Sequence, residues 1–532
     1  MYTHIVVGAG SAGSVVASRI SENQSYNVLL VEAGPDYHPP SESNKYLRDA
    51  LRNAKRVPMK GQTEQHYPQI DWNVQVQLSN CAQMTVPQAK VVGGGSSING
   101  GTALRSTPAD SAEWVALGNP AWSFDEVLSV YRSLENDPDG DAGSETRGLH
   151  TLTRARMLEL GRIQQAFVEG TSQCGFVLVD DLNATSVEGV GCSPCCRKGD
   201  IRVSLANTFL DPVRTRRNLS IMTDRIVNRI TFDRTRATGI EFSNGHRLYA
   251  SSEVVLCAGA IFSPAILQRS GLGPHKELAR MGIDCIADLP IGANLSDHPC
   301  IPVMARPRPG AFDADDFSLQ CTARWSSKLR PGCVDLQLVC FSYLFAEANS
   351  AMDQRRDLAG NATGHVAGIG CNVNRPESLG SVMIQSLDAT DQPLIIPNYL
   401  QSLPDKALAR EAVRRGYEVI TSPAMNCVLG SPIGIDREVI DSDERLDQYI
   451  EKQFTSTYHF CGTCRMATRE KSGVVDQSGR VYDVQGLRVA DASVLPSVPA
   501  SNTMWTTAMF AERIGSSVRD RIAVENLNKA QI

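Results

Sequence analysis

The sequence predicts an α/β fold of two interleaved domains, one built on a parallel sheet and the other an α+β domain that contains an antiparallel sheet. The chain has 532 residues, which is too long for one ordinary hydrophobic core. Residues 1–32 read as strand, helix and strand, the order that builds parallel sheets. The alternating run 334–339 and the short run 380–384 read as antiparallel strands.

A glycine-rich turn follows the first predicted strand. Residues 4–7 are a short apolar run, and they lead into Gly8-Ala9-Gly10-Ser11-Ala12-Gly13. Gly8 permits a tight turn, Gly10 lets the backbone approach a pyrophosphate, and Gly13 lets the next helix pack close to the strand. The free N–H groups at the start of that helix favour phosphate. The turn predicts a dinucleotide site, and a turn that holds no ligand is the alternative.

An acidic residue ends the second predicted strand. Residues 14–20 have the apolar spacing of a helix, and residues 27–31 read as a buried strand that leads to Glu32. Glu32 lies 22 residues after Gly10, where a carboxylate can accept hydrogen bonds from a ribose. Strand, helix and acid together support the dinucleotide site. The motif alone does not distinguish FAD from NAD.

Composition argues against several classes of protein. Lys and Arg total 52 against 58 Asp and Glu, and the net charge of −6 offers no electrostatic footprint for nucleic acid. No window approaches 18 uninterrupted apolar residues, so we expect no membrane span. We expect no secretory signal before the first strand, and the 15 cysteines then fit reduced thiols. We expect an intracellular, cytoplasmic protein.

A second glycine-rich block occupies residues 90–105. Its five glycines stand among Val91, Val92, Ile98 and Leu104. Backbone this rich in glycine is expected to pass close to a flat or bulky ligand. A surface loop without a ligand rarely carries so many apolar residues between its glycines.

This block resembles the first signature of the glucose–methanol–choline (GMC) oxidoreductases, an FAD-dependent family in which a Gly-Gly-Ser-Ser-x-Asn-Gly segment runs beside the isoalloxazine ring. Three later stretches resemble the family in the same order, namely 259–273, 292–298 and 458–514. The resemblance is weakest between 300 and 455. We expect a Rossmann-like FAD-binding domain of segments 1–40, 85–155, 200–300 and 455–532. The remaining segments, 41–84, 156–199 and 301–454, are expected to form the substrate-binding domain.

The resemblance also implies how FAD is held. Some members of the family attach FAD through a His at the position of Ile98, and isoleucine cannot form that bond, so we expect non-covalent FAD. In the family, the segment around Val227 borders the adenine, and Asp491 resembles an acid near the phosphate or ribityl chain. The expected FAD-binding residues are Gly8, Gly10, Ser11, Ala12, Gly13, Glu32, Ala33, Val92, Gly95, Asn99, Gly100, Gly101, Thr102, Val227, Ala258, Asp491, Ala492, Asn502 and Thr503.

Two polar residues match the catalytic end of the family. His459 stands at the position of the family's catalytic His, and Asn502 stands where the family has His or Asn. Neutral imidazole is suited to taking a hydroxyl proton near pH 7, and an amide N–H can bind the developing alkoxide. A helix from Thr503 to Arg513, with Ser501 or Asn502 as its cap, would direct its positive end at the flavin. Alone, His459 would more often be structural, and Asn502 only a cap.

The resemblance therefore implies an FAD-dependent oxidoreductase that converts the CH–OH group of a small-molecule alcohol to an aldehyde or ketone. Reoxidation by O2 or another acceptor stays open, as does the identity of the alcohol. A family relative that runs a lyase-type reaction is the first alternative. A nicotinamide-dependent enzyme or a nucleotide-binding module is the second, and the block 90–105 with the His–Asn pair argues against it.

The remaining histidine and cysteine motifs are interpreted as structural. His275 and His298 lie in matched stretches and are not assigned to catalysis. Two C-x-x-C patterns, 461–464 and 192–195, could in principle bind zinc. The first is better explained by the family motif. The role of Cys192, Cys195 and Cys196 stays open, and no metal is expected.

Overall fold

The computed structural model of the chain describes residues 1–38, 45–55, 67–78, 82–140, 148–185, 187–313, 315–345 and 365–520. The parts of the predicted domain segments that fall in the gaps, and residues 521–532, lie outside the described residues. The α-helices are Ser11–Ile20, Lys45–Arg52, Gly95–Ile98, Pro108–Ala116, Phe124–Leu134, Arg162–Gln173, Gly259–Arg269, His275–Arg280, Leu403–Ile420, Pro423–Asn426, Arg437–Asp441, Asp443–Gln453 and Thr503–Arg519.

The first sheet has a parallel part and an antiparallel part. Its strands, in spatial order, are Leu219–Met222, Val28–Val31, Tyr2–Val7, Arg247–Leu256, Arg236–Phe242 and Val227–Asp233, and Leu487–Val489 also pairs with Arg247–Leu256. The first four and Leu487–Val489 run parallel, while the hairpin strands pair antiparallel. The predicted strands at 4–7 and 27–31 are confirmed.

The parallel strands bring distant turns to one edge of the first sheet. Val7, Val31 and Leu256 are the last residues of three neighbouring strands. Parallel strands end on the same edge, where open α/β sheets bind ligands. The turns that follow positions 7, 31 and 256 therefore meet in space.

A second, fully antiparallel sheet stands apart from the first. Its strands, in spatial order, are Leu429–Pro432, Pro299–Pro307, His365–Val373, Leu336–Phe345, Cys321–Trp325 and Gly189–Cys192, and Thr455–Ser456 pairs with Pro299–Pro307. This antiparallel sheet packs on the long helix Leu403–Ile420, whose apolar face carries Leu408 and Val413. The antiparallel sheet expected in the second domain is confirmed.

A smaller, five-stranded sheet joins segments from distant parts of the chain. Its order is Ala293–Leu295, Gly380–Met383, Leu394–Ile396, Val74–Gln77 and Gln83–Val86. The predicted boundary between residues 84 and 85 falls inside the last of these strands, and the one between 300 and 301 falls inside Pro299–Pro307. Strands thus run through both boundaries, and the division into domains stays a prediction.

Candidate active site

A continuous cavity runs from the carboxyl edge of the first sheet to the inner face of the antiparallel sheet. Segments that lie far apart in the sequence share its wall. The predicted residues that line it are Gly8, Gly10, Ser11, Ala12, Glu32, Ala33, Gly95, Asn99, Gly100, Gly101, Thr102, Val227, Ala258, His459, Asp491, Ala492, Asn502 and Thr503. The two predicted catalytic residues and most predicted FAD residues therefore meet around one space.

Gly13 and Val92 lie behind the cavity wall. A Cβ at Gly13 would lie 1.8 Å from the carbonyl oxygen of Gly8, so only glycine lets the first helix start this close to the turn. Val92 is fully buried in the apolar core beside the first sheet. The structure does not place either residue at the cavity surface.

The start of the first helix offers a site for an anion. Gly10 is the N-cap of Ser11–Ile20 and brings no side-chain acceptor, and the first turn contains no acidic residue. A Cβ at Gly10 would meet nothing closer than the Cα of Gly94, at 3.8 Å. The helix N-terminus thus faces clear space, where its N–H groups and dipole favour a phosphate.

Glu32 is a buried carboxylate beside this turn. Its Oε2 accepts from the backbone N–H of Ala9 at 2.8 Å, and its Oε1 accepts from that of Gly34 at 2.9 Å. Burial raises the pKa of Glu32, while these N–H groups act in the opposite direction. Each carboxylate oxygen keeps further acceptor capacity. Glu32 both fixes the glycine-rich turn and offers acceptors to a ribose.

The second glycine-rich block forms the middle of the cavity. Gly95–Ile98 is a single helical turn, and a Cβ at Gly95 would meet no atom within 4 Å. The Oδ1 of Asn99 accepts from the N–H of Gly101 at 3.0 Å and from Arg202 Nη1 at 3.2 Å. Ile98 lines the cavity and has no atom that could bond to a cofactor. The block leaves room for a flat ring beside ordered backbone.

The cavity residues fit FAD along their whole length. Apolar Val227 stands near Glu32, because the N–H of Arg225 donates to the carbonyl of Glu32 at 2.9 Å. The anion site of the first helix comes next, and then the open face at Gly95. An adenine, a ribose, a diphosphate and a flat ring find matching surroundings in that order.

His459 faces Asn502 across 3.3 Å, measured from Nε2 to the Asn502 Nδ2. The other ring nitrogen, Nδ1, lies 2.9 Å from His298 Nδ1 and 2.9 Å from Thr457 Oγ1. His298 Nε2 lies 2.9 Å from the carbonyl oxygen of Pro499. The pair predicted from the sequence is thus brought together, and His298, interpreted as structural from the sequence, touches it.

These contacts fix the tautomers of both rings. A carbonyl only accepts, so His298 must donate from Nε2, and its Nδ1 in the neutral ring is then an acceptor. His459 therefore donates from Nδ1, which leaves the lone pair on Nε2. Burial lowers the pKa of His459 to about 4, and burial with the neighbouring His459 lowers the pKa of His298 well below its usual range. Nε2 of His459 is an unprotonated base at neutral pH.

Asp297 holds the backbone that carries His459. Its carboxylate accepts from the His459 N–H at 2.7 Å, from Ser456 Oγ at 2.5 Å and from the Tyr399 hydroxyl. Tyr458, directly before the histidine, has a left-handed φ of 66°. Such a conformation is unfavourable for tyrosine and persists because the surrounding contacts hold it. The direction of the imidazole is therefore set by buried backbone contacts.

The loop before Asn502 is held by polar groups from several segments. The N–H of Ala500 donates to the Asp110 carboxylate at 3.1 Å, and Arg375 pairs with the same carboxylate. The carbonyl of Ala500 accepts from Arg324 Nη2 at 2.8 Å and from Asn374 Nδ2 at 3.4 Å. These buried bonds, together with the one from His298 to Pro499, fix where Asn502 stands.

Asn502 is the N-cap residue of Thr503–Arg519, as predicted, but its side chain makes no capping hydrogen bond. Because the side chain is directed at His459, the start of this helix keeps free N–H groups next to the cavity. Asp491, the predicted cofactor acid, accepts from the N–H of Gly259 at 2.8 Å and from Ser263 Oγ at 2.5 Å. It thereby ties the carboxy-terminal stretch to the turn after the first sheet.

The antiparallel sheet supplies a wall that no motif predicted. Its cavity-lining residues are Cys300, Pro302, Met304, Thr322, Gln337, Val339, Phe341, Leu344 and Asn372. On Pro299–Pro307, and on Leu336–Phe345 as far as Phe341, they alternate with residues of the opposite face, and the register shifts before Leu344. The alternation of 334–339 predicted a strand but could not show which face lines the cavity.

The cysteines of the described residues are free thiols. Cys192 lies opposite Cys321 on neighbouring strands, and Cys195 and Cys196 are buried. Within the described ranges no three His, Cys, Asp or Glu side chains form a group that could hold a metal ion. Among the helices of the same residues, none is long and apolar enough to cross a membrane.

The chain is similar in sequence to a known enzyme family over most of its length. The family model of the GMC oxidoreductases matches residues 2–300 with its amino-terminal part and residues 376–511 with its carboxy-terminal part. Oxygen-dependent choline dehydrogenase of Yersinia pseudotuberculosis serotype O:1b is 32% identical, over 97% of this chain and 94% of that protein. The enzyme of the same name from Serratia proteamaculans is 33% identical, over 98% and 96%.

A solved structure with similar architecture is the pyridoxine 4-oxidase from Mesorbium loti. It superposes with a TM-score of 0.84 at 26% identity and covers 97% of this chain and 98% of that chain. Similarity therefore extends over both sheets and the cavity between them.

Proposed function

The chain belongs to the GMC oxidoreductase family of FAD-dependent enzymes that act on CH–OH donors, and from this we propose that it oxidises a small-molecule alcohol to an aldehyde or ketone, with His459 as the base and Asn502 as its partner. The observation that carries the proposal is the arrangement of His459, whose Nε2 faces the amide of Asn502 while its Nδ1 is already bound. Relatives named choline dehydrogenase and pyridoxine 4-oxidase support alcohol as the substrate class.

Each residue of the pair has a distinct role in this proposal. An alcohol is a very weak acid, and hydride leaves its carbon more readily as the hydroxyl proton is removed. Nε2 of His459 takes that proton. The Nδ2 of Asn502 donates to the alkoxide oxygen as charge develops there. Bound FAD supplies the acceptor for the hydride, at its N5.

The cofactor and the electron acceptor complete the proposal. FAD is held non-covalently, because Ile98 offers no linking atom at the position that bonds FAD in some relatives. O2 or another acceptor would take the electrons from the reduced cofactor.

We expect the purified protein to be yellow, to bleach when an oxidisable alcohol is added without oxygen, and to release FAD into the supernatant on acid precipitation. Absorbance spectra before and after each step measure all three results. Flavin that stays with the precipitate would contradict the non-covalent attachment. Flavin that stays oxidised with every alcohol of a broad panel would favour the lyase-type alternative.

Replacing Glu32 by alanine should weaken FAD binding by about 1–3 kcal/mol, the usual cost of losing a hydrogen bond to a charged group. The change also leaves the N–H groups of Ala9 and Gly34 without acceptors, so the protein should unfold at lower temperature. Fluorescence titration of the apoprotein with FAD gives the affinity. Glu32→Gln, which keeps one acceptor oxygen, should lose less, and Glu277→Ala on an exposed helix should lose nothing. Equal FAD affinity in all four proteins would contradict the role of Glu32.

The second-order rate of flavin reduction should stay constant from neutral pH down to about 5 and fall as the pH passes through about 4. The pKa of His459 is lowered to about 4, so the ring becomes protonated only there and then cannot take the hydroxyl proton. The pKa of His298, which touches His459, is also lowered well below its usual range, by burial and by the neighbouring His459. Anaerobic stopped-flow at low substrate concentration measures this rate, and enzyme returned to pH 7 controls for acid denaturation. A decline centred near pH 6.5 would show that the imidazole titrates as in water.

A further inference from the structure

We infer that Gln337 and Asn372 form a recognition site for an uncharged substrate group that both donates and accepts a hydrogen bond, such as a hydroxyl or a carboxamide. The inference rests on the proposed function and specifies its substrate class. The site would select a neutral alcohol that carries such a group near its carbinol carbon and whose remaining part is apolar.

Strand register places the two amides side by side on the cavity wall. Cys300, Asn372, Gln337 and Arg324 pair in one row across four neighbouring strands. Side chains that pair across a sheet in this way project from the same face. Of this row, Cys300, Asn372 and Gln337 line the cavity. The antiparallel sheet therefore presents a row of polar side chains to the cavity, and we call this the polar row.

The amides of this row are only partly satisfied. Oε1 of Gln337 accepts from Asn372 Nδ2 at 3.2 Å and from Asn374 Nδ2 at 3.4 Å. Among the described residues, the Nε2 of Gln337 and the Oδ1 of Asn372 have no hydrogen-bond partner, although the two side chains are only 2% and 5% exposed. A buried polar atom without a partner is unfavourable, and a bound group that completes its hydrogen bonding removes that cost. Both side chains line the cavity, and their free atoms lie behind its surface, so a ligand meets these atoms when the amides turn toward it.

The carbonyl of Ala500 fixes the orientation of the three amides. A carbonyl only accepts, so Asn374 donates to it from Nδ2, and Gln337 then accepts from Asn374 and Asn372 through Oε1. The pair therefore offers one donor, on Gln337, and one acceptor, on Asn372. Its complement is a group that can both accept and donate, and a simple ether or a quaternary ammonium cannot do so.

The amide pair lies beside the catalytic groups. His298, which touches His459, leads directly into Pro299–Pro307, whose Cys300 pairs with Asn372. Asn374 bonds both Gln337 and the loop that precedes Asn502. A substrate whose hydroxyl reaches His459 therefore has its neighbouring atoms near the amides.

Beyond the polar row the wall is mostly apolar. The next row on the same face contains Pro302, Gly370, Val339 and Thr322. A Cβ at Gly370 would lie 3.0 Å from Phe341 and 3.1 Å from the Cys300 sulfur, so glycine lets these two side chains pack over this point of the sheet. Pro302, Val339 and Phe341 line the cavity there and suit an apolar part of the substrate.

The described part of the wall carries no charge to balance a cationic substrate. The residues of the antiparallel sheet that line the cavity are uncharged, and among the described residues the lining carboxylates are Glu32 and Asp491. Both of these bind backbone N–H groups at the turns of the first sheet. A buried cation needs a countercharge or comparable stabilisation, so choline is a poor match for this wall.

The test compares matched alcohols and matched variants of the holoenzyme. Flavin reduction is measured without oxygen for 2- and 3-hydroxybenzyl alcohol, for the corresponding methoxybenzyl alcohols, which only accept, and for choline. We expect the better hydroxybenzyl alcohol to react at least tenfold faster, in second-order rate, than its methoxy counterpart and than choline. Gln337→Met and Asn372→Leu should bring the hydroxy-to-methoxy ratio close to one. Gln337→Glu should instead increase the rate with choline.

Binding is measured separately from turnover. The inert probe 3-methylphenol should perturb the flavin spectrum with a Kd about tenfold lower than that of 3-methylanisole, and Gln337→Met should remove the difference. FAD content and melting temperature show that the variants are folded, and Asn372→Leu provides a second variant if Gln337→Met fails to fold. Bleaching by alcohols with an unchanged ratio in the variants, or a preference for choline, would overturn this inference alone. The absence of bleaching by any alcohol would overturn the proposed function itself.

Discussion

The His459→Ala variant is expected to retain FAD and to lose flavin reduction by alcohol about 10²–10⁴-fold, the usual effect of removing a general base. The residues expected to hold FAD include the turn at Gly8 and the block around Gly95, so loss of one imidazole should not release the cofactor. Asn502→Ala should cost less, because the amide stabilises the alkoxide without taking its proton.

Anaerobic stopped-flow reduction of the bound flavin measures this chemical step directly. The FAD content of each variant is determined first, since Asn502 also begins a helix whose start faces the cavity. His275→Gln provides the control, because this exposed histidine lies at the start of the helix His275–Arg280 and away from the cavity. Near-normal reduction in His459→Ala would mean that another group takes the proton or that the reaction is not alcohol oxidation.

Alanine at Gly13 is expected to abolish FAD binding by preventing the first βαβ unit from folding. Its Cβ would lie 1.8 Å from the carbonyl oxygen of Gly8 and 3.4 Å from the Cβ of Cys257, and backbone cannot yield by that distance without moving the strand. Gly10→Ala is the matched change, since its Cβ would project into free space with only Gly94 at 3.8 Å. That variant should fold but bind FAD weakly, because the added methyl stands where the diphosphate approaches.

Circular dichroism, thermal melting and FAD titration separate the two outcomes. For Gly13→Ala we expect aggregated protein or a melting temperature lowered by ten degrees or more, corresponding to several kcal/mol in a chain of this size. For Gly10→Ala we expect a melting temperature close to that of the wild-type apoprotein and a raised Kd for FAD. Two variants that fold equally well and bind FAD equally well would refute the distinction between packing and cofactor contact.

The sequence predicted the cofactor half of the molecule well because its determinants are local. The turn at Gly8, the acid at Glu32 and the block around Gly95 each lie in a continuous stretch whose residue types are dictated by close backbone approach. The predicted strands and helices there agree with the structure to within a few residues. Gly13 and Val92 were expected to contact FAD, yet both lie behind the cavity wall. A motif does not distinguish a residue that is needed for packing from one that contacts the cofactor.

The other half of the site depends on contacts between distant residues. His298 and His459 are 161 positions apart, and the role of His298 follows from which nitrogen meets which acceptor. Gln337 and Asn372 are joined by strand register, which a single sequence does not reveal. The hairpin of the first sheet was predictable because its strands are adjacent in the chain, whereas the pairing of the antiparallel sheet was not.

Hydrogen bonds from Ala500 to Arg324, Asn374 and Asp110 hold the loop 499–501, and they limit which substitutions can change the substrate range. Arg324 lies in the row of Cys300, Asn372 and Gln337, and Asn374 bonds to Gln337. A library that randomises this row therefore also disturbs the hydrogen bonds that hold the loop before Asn502. Val339 and Thr322, one row further on, bear on the pocket without touching that anchor. Selection for a new alcohol should therefore enrich substitutions in the row of Val339 and Thr322. Surviving substitutions in the row of Gln337 and Asn372 should be accompanied by compensating substitutions near Ala500.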